Sequence, residues 1–117
     1  MTAGQHDITI EQGATFRLSL VWRDSAGALI DVTGYTARMQ VRRRHTTEDP
    51  PALSLTSAAG DIVLGGAAGT IVITAAATVT DDIDFKTGVY DLEMEDVDGF
   101  VTRLIEGSVT ITPEVTR

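Results

Sequence analysis

The sequence predicts an all-β protein, an antiparallel β-sandwich of about seven or eight short strands. Three observations lead there. Apolar residues alternate with polar ones at period two in several separate runs. Clusters of Gly, Asp, Ser and Pro separate those runs at short intervals. The stretches that do not alternate are too brief to supply the helices of repeated β–α units. At 117 residues the chain has the size of one domain, placed here at residues 1–117, and a chain of this size buries a core without staples.

From Ala14 to Arg23, residues Phe16, Leu18, Leu20 and Trp22 share one face, and Arg17, Ser19, Val21 and Arg23 the other. That is the pattern of a half-buried strand. Asp24-Ser25-Ala26-Gly27 ends it as a turn. Leu29 to Val32 is a short extended piece, broken by Thr33-Gly34. A second long strand runs from Tyr35 to Arg43, with Ala37, Met39 and Val41 inward. His45 to Pro51 is polar, contains Pro50-Pro51 and reads as a surface loop. Leu53 and Leu55 mark a short strand, and Ser57 to Gly60 a turn.

Ile62–Leu64 and Thr70–Thr74 form a hairpin around Gly65-Gly66-Ala67-Ala68-Gly69, whose glycines supply positive φ angles. Ala75 to Phe85 lacks alternation and is a connection with room for one helical turn. Val89 to Glu95 alternates again, with Tyr90, Leu92 and Met94 inward, and Asp98-Gly99 is a tight hairpin turn. Val101 to Thr112 is the last long strand. Within it Gly107 marks a bulge or the close approach of another backbone. The expected core comprises Phe16, Leu18, Leu20, Trp22, Met39, Leu92 and Met94.

The formal net charge is −8, from 17 acidic and 9 basic residues. A surface of that sign repels phosphate backbones, so nucleic acid is not the expected partner. No apolar run is long enough to span a bilayer, and the first seven residues lack an apolar signal core. We therefore expect synthesis in the producer's cytoplasm and no membrane partner. The absence of cysteine removes disulfides, thiolate metal ligands and cysteine nucleophiles.

No set of residues reads as catalytic, and no cofactor or metal site is expected. His6 and His45 lie in polar terminal and loop segments, where an exposed histidine is the ordinary case. Ser54, Ser57 and Ser108 lack a nucleophile-elbow context. Asp81, Asp82 and Asp84, or Asp96 and Asp98, are clustered enough to raise calcium, but Lys86 stands where an EF-hand would need a ligand. Gly65–Gly69 has no Lys-Ser/Thr ending and opens no helix, so it is a hairpin loop and not a phosphate loop. Glu93 and Glu95 alternate with core residues and belong to an outer sheet face. Of the aromatics, Trp22 and Tyr90 fall on apolar strand faces, while Phe100, beside Asp98-Gly99, is the best exposed candidate.

Several of these segments together resemble a family. Gln12-Gly13, Thr15-Phe16, Leu18, Leu20, Trp22, Asp24 and Gly27 form an early strand and turn. Ile30 to Arg42, then Gly88, Tyr90-Asp91-Leu92-Glu93, Asp98-Gly99, Val101 to Gly107 and the closing Pro113-Glu114-Val115-Thr116 continue the pattern over nearly the whole chain. It resembles the small immunoglobulin-like virion proteins of tailed bacteriophages, and is similar to the N-terminal domain of upper-baseplate and tail-fibre adaptor proteins. The resemblance implies an immunoglobulin-like sandwich, a structural adaptor role in the virion and no catalytic residue. It also implies other tail, baseplate or neck proteins as partners, with the chain present in several symmetric copies. Two alternatives stand beside the adaptor: a neck, collar or capsid-decoration protein, and a carbohydrate-binding module at the host surface. The expected partner contacts are Thr2, Gln5 and His6 in the N-terminal segment and Arg42, Arg43, Arg44 and His45 at a strand end. Thr2 to Asp7, the loop from Arg44 to Pro51 and the C-terminal Pro113 to Arg117 are polar enough that they have little reason to fold back onto the domain.

Overall fold

A computed structural model describes residues 4–44 and 50–115. The strands are β1 (Gly4–Gln5), β2 (Ile8–Glu11), β3 (Phe16–Val21), β4 (Thr36–Arg42), β5 (Leu53–Thr56), β6 (Ile62–Leu64), β7 (Thr70–Ala75), β8 (Thr87–Glu95) and β9 (Val101–Thr112). One helical turn, α1 (Ala77–Thr80), interrupts the connection between β7 and β8, where the loss of alternation places it. The strands form two sheets. The larger has the order β1-β9-β8-β4-β5, with β2 also on β9, and the smaller β3-β7-β6. The fold is all-β, mostly antiparallel and sandwich-like.

The core lies between the sheets. Met39, Val41, Leu92, Met94 and Val109 from the larger sheet, and Ile62, Ile71, Ile73 and Ala75 from the smaller, are buried in one cluster with Trp22. Trp22 meets Tyr35 edge to face at 5.7 Å between ring centres, a favoured aromatic geometry. Its indole N–H is buried without a hydrogen-bond partner among the described residues.

The structure corrects four expectations. Phe16, Leu18 and Leu20 are only half-buried, because β3 is an edge strand of the smaller sheet and has a neighbour on one side alone. Leu29 to Val32 forms no strand beyond one bridge between Arg23 and Leu29. The sheets are not wholly antiparallel, since β1 and β2 both pair with β9 in parallel. Gly4 to Asp7 do fold back, and Glu114 is likewise tied to Gln12. Besides the β1 pairing, His6 N–H donates to the Glu106 carbonyl at 2.9 Å. The Tyr90 hydroxyl donates to the His6 carbonyl, and Ser108 N–H donates to the Asp7 carboxylate at 3.0 Å. Polar composition hides this commitment, because each of these bonds uses, on at least one side, a backbone group that every residue type carries.

Gly107 permits the docking. A Cβ there would lie 2.8 Å from the His6 carbonyl carbon and 2.9 Å from Asp7 Oδ1. Of the two roles open to this glycine, the close approach is the one the structure uses. The register shift on β8 and β9 falls elsewhere, between Leu92 and Glu93.

A second clamp closes the same side of the molecule. Thr80, fully buried, accepts from Gly13 N–H at 3.1 Å and donates to the Ala14 carbonyl at 2.8 Å. Gln12 Nε2 donates to the Ile83 carbonyl at 3.0 Å, and Gln12 Oε1 accepts from Glu114 N–H at 3.1 Å. One side chain thus joins the β2–β3 turn to the α1 connection and to the end of the chain.

Candidate functional site

Two surface features stand at opposite ends of β8, and both grow out of local sequence. At the Thr87 end, β4 finishes at Arg42, opposite Val89. Gly88 is buried, and a Cβ there would lie 2.7 Å from the Phe85 ring, so glycine lets that ring pack against the strand. The Arg43 guanidinium carbon lies 5.5 Å from the centre of the same ring, a cation–π contact. Arg43 Nη2 also sits 3.5 Å from Asp84 Oδ1. Both groups are exposed, so this ion pair contributes little stability. Arg42 Nη2 donates to Gln40 Oε1 at 3.0 Å.

Arg42, Arg43, Arg44 and Phe85, with Ala52 and Pro50, line an open cleft of about 430 Å³ that Asp82 and Asp84 also border. Its described lining holds three guanidinium groups and two carboxylates, a positive excess in a chain of net charge −8.

At the other end, β8 and β9 are joined by Asp96 to Phe100. Asp96 N–H donates to the Phe100 carbonyl at 3.1 Å, and Gly99 N–H to the Asp96 carbonyl at 3.1 Å. The Asp96 carboxylate accepts from both Asp98 N–H and Phe100 N–H at 2.9 Å. Gly99 has φ 87°. This is a three-residue hairpin loop with glycine in the left-handed position, one residue longer than the tight turn expected at Asp98-Gly99. Val97 and Phe100 project from it, 78% and 70% exposed.

The loop from Asp24 to Ala28 has the same construction. Asp24 N–H donates to the Ala28 carbonyl and Gly27 N–H to the Asp24 carbonyl, each at 2.9 Å. The Asp24 carboxylate accepts from Ala26 N–H and Ala28 N–H at 2.9 Å, and Gly27 has φ 85°. The turn therefore needs Asp at its first position and Gly at its fourth. It does not need a large apolar residue at the second or fifth position, where Ser25 and Ala28 stand in this loop. Val97 and Phe100 are surplus to the turn's own requirements.

Between the two ends, the outer face of the larger sheet carries ion pairs both across strands and, between Arg103 and Glu106, within β9. Arg38 sits 2.8 Å from Glu93 and 3.4 Å from Glu95, and Glu93 raises the Arg38 pKa further. Arg103 sits 3.4 Å from Asp91 and 3.7 Å from Glu106. Glu93 and Glu95 thus belong to an outer face, as their alternation indicated.

Of the residues expected to meet partners, Arg42, Arg43 and Arg44 gather at the cleft. Gln5 and His6 are exposed but lie beside β9. From Arg42 they are across β8 and β9, about 15 Å at roughly 4.8 Å per strand, so the structure does not bring the two groups together. Thr2 and His45 lie outside the described residues. Ser108 donates its backbone N–H to Asp7. Asp96 is committed to its turn and Asp84 to Arg43. Among the described residues, no group of three or more His, Asp or Glu side chains converges as a metal site requires. Trp22 and Tyr90 are buried and Phe100 exposed, as their strand faces and turn position indicated. Sequence reasoning missed Val97, although an apolar residue inside an Asp-x-Asp-Gly turn was the available signal. Neither protein-family models nor curated proteins give a match to this chain.

Proposed function

We propose that this chain is a structural adaptor of a tailed-phage virion, an immunoglobulin-like module that attaches tail-fibre or baseplate components through protein–protein contacts. The Val97–Phe100 tip carries this reading. A turn fixed by four hydrogen bonds presents an aromatic and a valine that it does not need for its own stability. Aromatic anchors dominate the energetics of protein interfaces, and a rigid support lowers the entropy lost on binding.

The residues that resemble the phage family support the reading from another side, because they are framework positions here. Gln12 ties three segments together, Gly27 and Gly99 occupy matching turn corners, and Trp22 is core. In this reading the protein is made in the host bacterial cytoplasm and incorporated into particles in several symmetric copies.

The test is photo-cross-linking in intact particles, with a photoreactive amino acid in place of Val97. Adducts with tail or baseplate proteins are expected. Adducts with neck or capsid proteins would move the adaptor to that location. Particles that lack the chain would overturn the proposal.

A further inference from the structure

We infer that this chain associates with copies of itself head to tail, the Val97–Phe100 tip of one copy seating in the Arg42–Arg44 and Phe85 cleft of the next. The inference rests on the reading of the domain as a binding module and names an occupant for its surfaces. Two observations favour a second copy. The tip is apolar and flanked by acids, Glu95, Asp96 and Asp98. The cleft offers the partly buried Phe85 ring beneath the Arg43 guanidinium, apolar surface at Pro50 and Ala52, and three guanidinium groups. The two therefore match in apolar surface and are opposite in charge.

The two also sit at opposite ends of the molecule. β8 has nine residues from Thr87 to Glu95, about 30 Å at roughly 3.4 Å per residue, in a body whose longest extent is 43 Å. A tip cannot reach the cleft of its own chain. Pairing of unlike surfaces is heterologous, so it either closes into a ring or continues as a filament. The contact is small, so the association is weak and concentration-dependent. It weakens with salt, because its charges are exposed.

The test uses the full chain and two surface variants. One carries Val97→Ser with Phe100→Ser; the other carries Arg43→Glu with Arg44→Glu. All four positions are exposed, and the matching loop at Asp24–Ala28 shows that the turn forms without a large apolar residue. Circular dichroism and thermal melting establish that both variants fold.

Sedimentation velocity at low salt, over rising concentration, should show the parent chain growing beyond a dimer. Each variant alone should associate at least about tenfold more weakly. Mixed together they should form one-to-one dimers and nothing larger, since each keeps the half that the other has lost. A parent chain that stays monomeric at every concentration overturns the inference. So does a mixture that stays monomeric while the parent associates, or variants that associate as the parent does. A monomeric parent whose Val97 still cross-links to tail proteins in particles defeats self-association alone and leaves the adaptor reading standing.

Discussion

Gly107→Ala should destabilise the protein, although the substitution is ordinarily favourable in a strand. Gly107 does not have a positive φ, so alanine meets no backbone penalty of its own. In an open strand it would add up to about 1 kcal/mol by restricting the unfolded chain. Here its Cβ would lie 2.8 Å from the His6 carbonyl carbon and 2.9 Å from Asp7 Oδ1, and backbone cannot swing aside as a flexible side chain can. The N-terminal segment must lift off β9. Lifting it breaks the His6–Glu106, Tyr90–His6 and Ser108–Asp7 hydrogen bonds. The two bonds at His6 contribute about 1 kcal/mol each, and with the alanine gain set against them the net loss is roughly 1–2 kcal/mol.

Urea denaturation followed by tryptophan fluorescence should show the midpoint falling by about 1 M. The decisive control is the same substitution in a chain lacking Thr2 to Asp7. There the obstacle is gone, and Gly107→Ala should be neutral or slightly stabilising. An equal loss in both backgrounds would refute the reasoning, because the cost would then not come from the docked segment.

Thr80→Val should cost about 2–3 kcal/mol in denaturant unfolding, since it leaves the Gly13 N–H and the Ala14 carbonyl without their buried partner; a cost near zero would mean that water replaces the hydroxyl. Trp22→Ala should cost about 3–5 kcal/mol, because Trp22 is only 8% exposed, and an unchanged midpoint would show that the indole does not pack in the core. Burial, assisted by the charge of Asp7, raises the Tyr90 hydroxyl to about 12. A folded pKa above the unfolded value near 10 means that the stability this group contributes is complete below pH 10 and is lost as pH rises towards 12. Stability measured against pH should fall over that window, and Tyr90→Phe should remove that part of the fall. At the acid end, hydrogen bonds from Ser108 hold the Asp7 carboxyl below its usual range, so its contribution is lost as pH falls below about 4. Asp7→Asn should remove that loss in the same titration.

The sequence by itself determined what depends on local periodicity and turn chemistry. Period-two alternation placed β3, β4 and β8 within about two residues, because a strand with one buried face repeats apolar side chains every second position, and the Asp98-Gly99 turn placed β9 as the returning strand. The break in alternation placed α1, and Gly107 was marked as a bulge or a close approach because glycine inside a strand needs a reason. Of the binding surfaces, Phe100 and the arginine run were legible in the same way, as an aromatic beside a turn and as like charges at a strand end.

Tertiary structure decided whatever depends on which backbone lies beside which. Parallel docking of Gly4 to Glu11 on β9 leaves little apolar signature at Gly4 to Asp7, because the strand pairing there runs through carbonyl and amide groups that every residue carries, and the one side chain of the segment that joins in, Asp7, is polar. The half-burial of Phe16, Leu18 and Leu20 follows from the edge position of β3, and strand order is not written in alternation. Only the fold put the tip and the arginine cleft at opposite ends of one strand, with Phe85 supplied to that cleft from the connection before β8. Residues 42–44, 85 and 97–100 meet no common local pattern. Their relation exists because β8 is rigid and long enough to hold two surfaces apart.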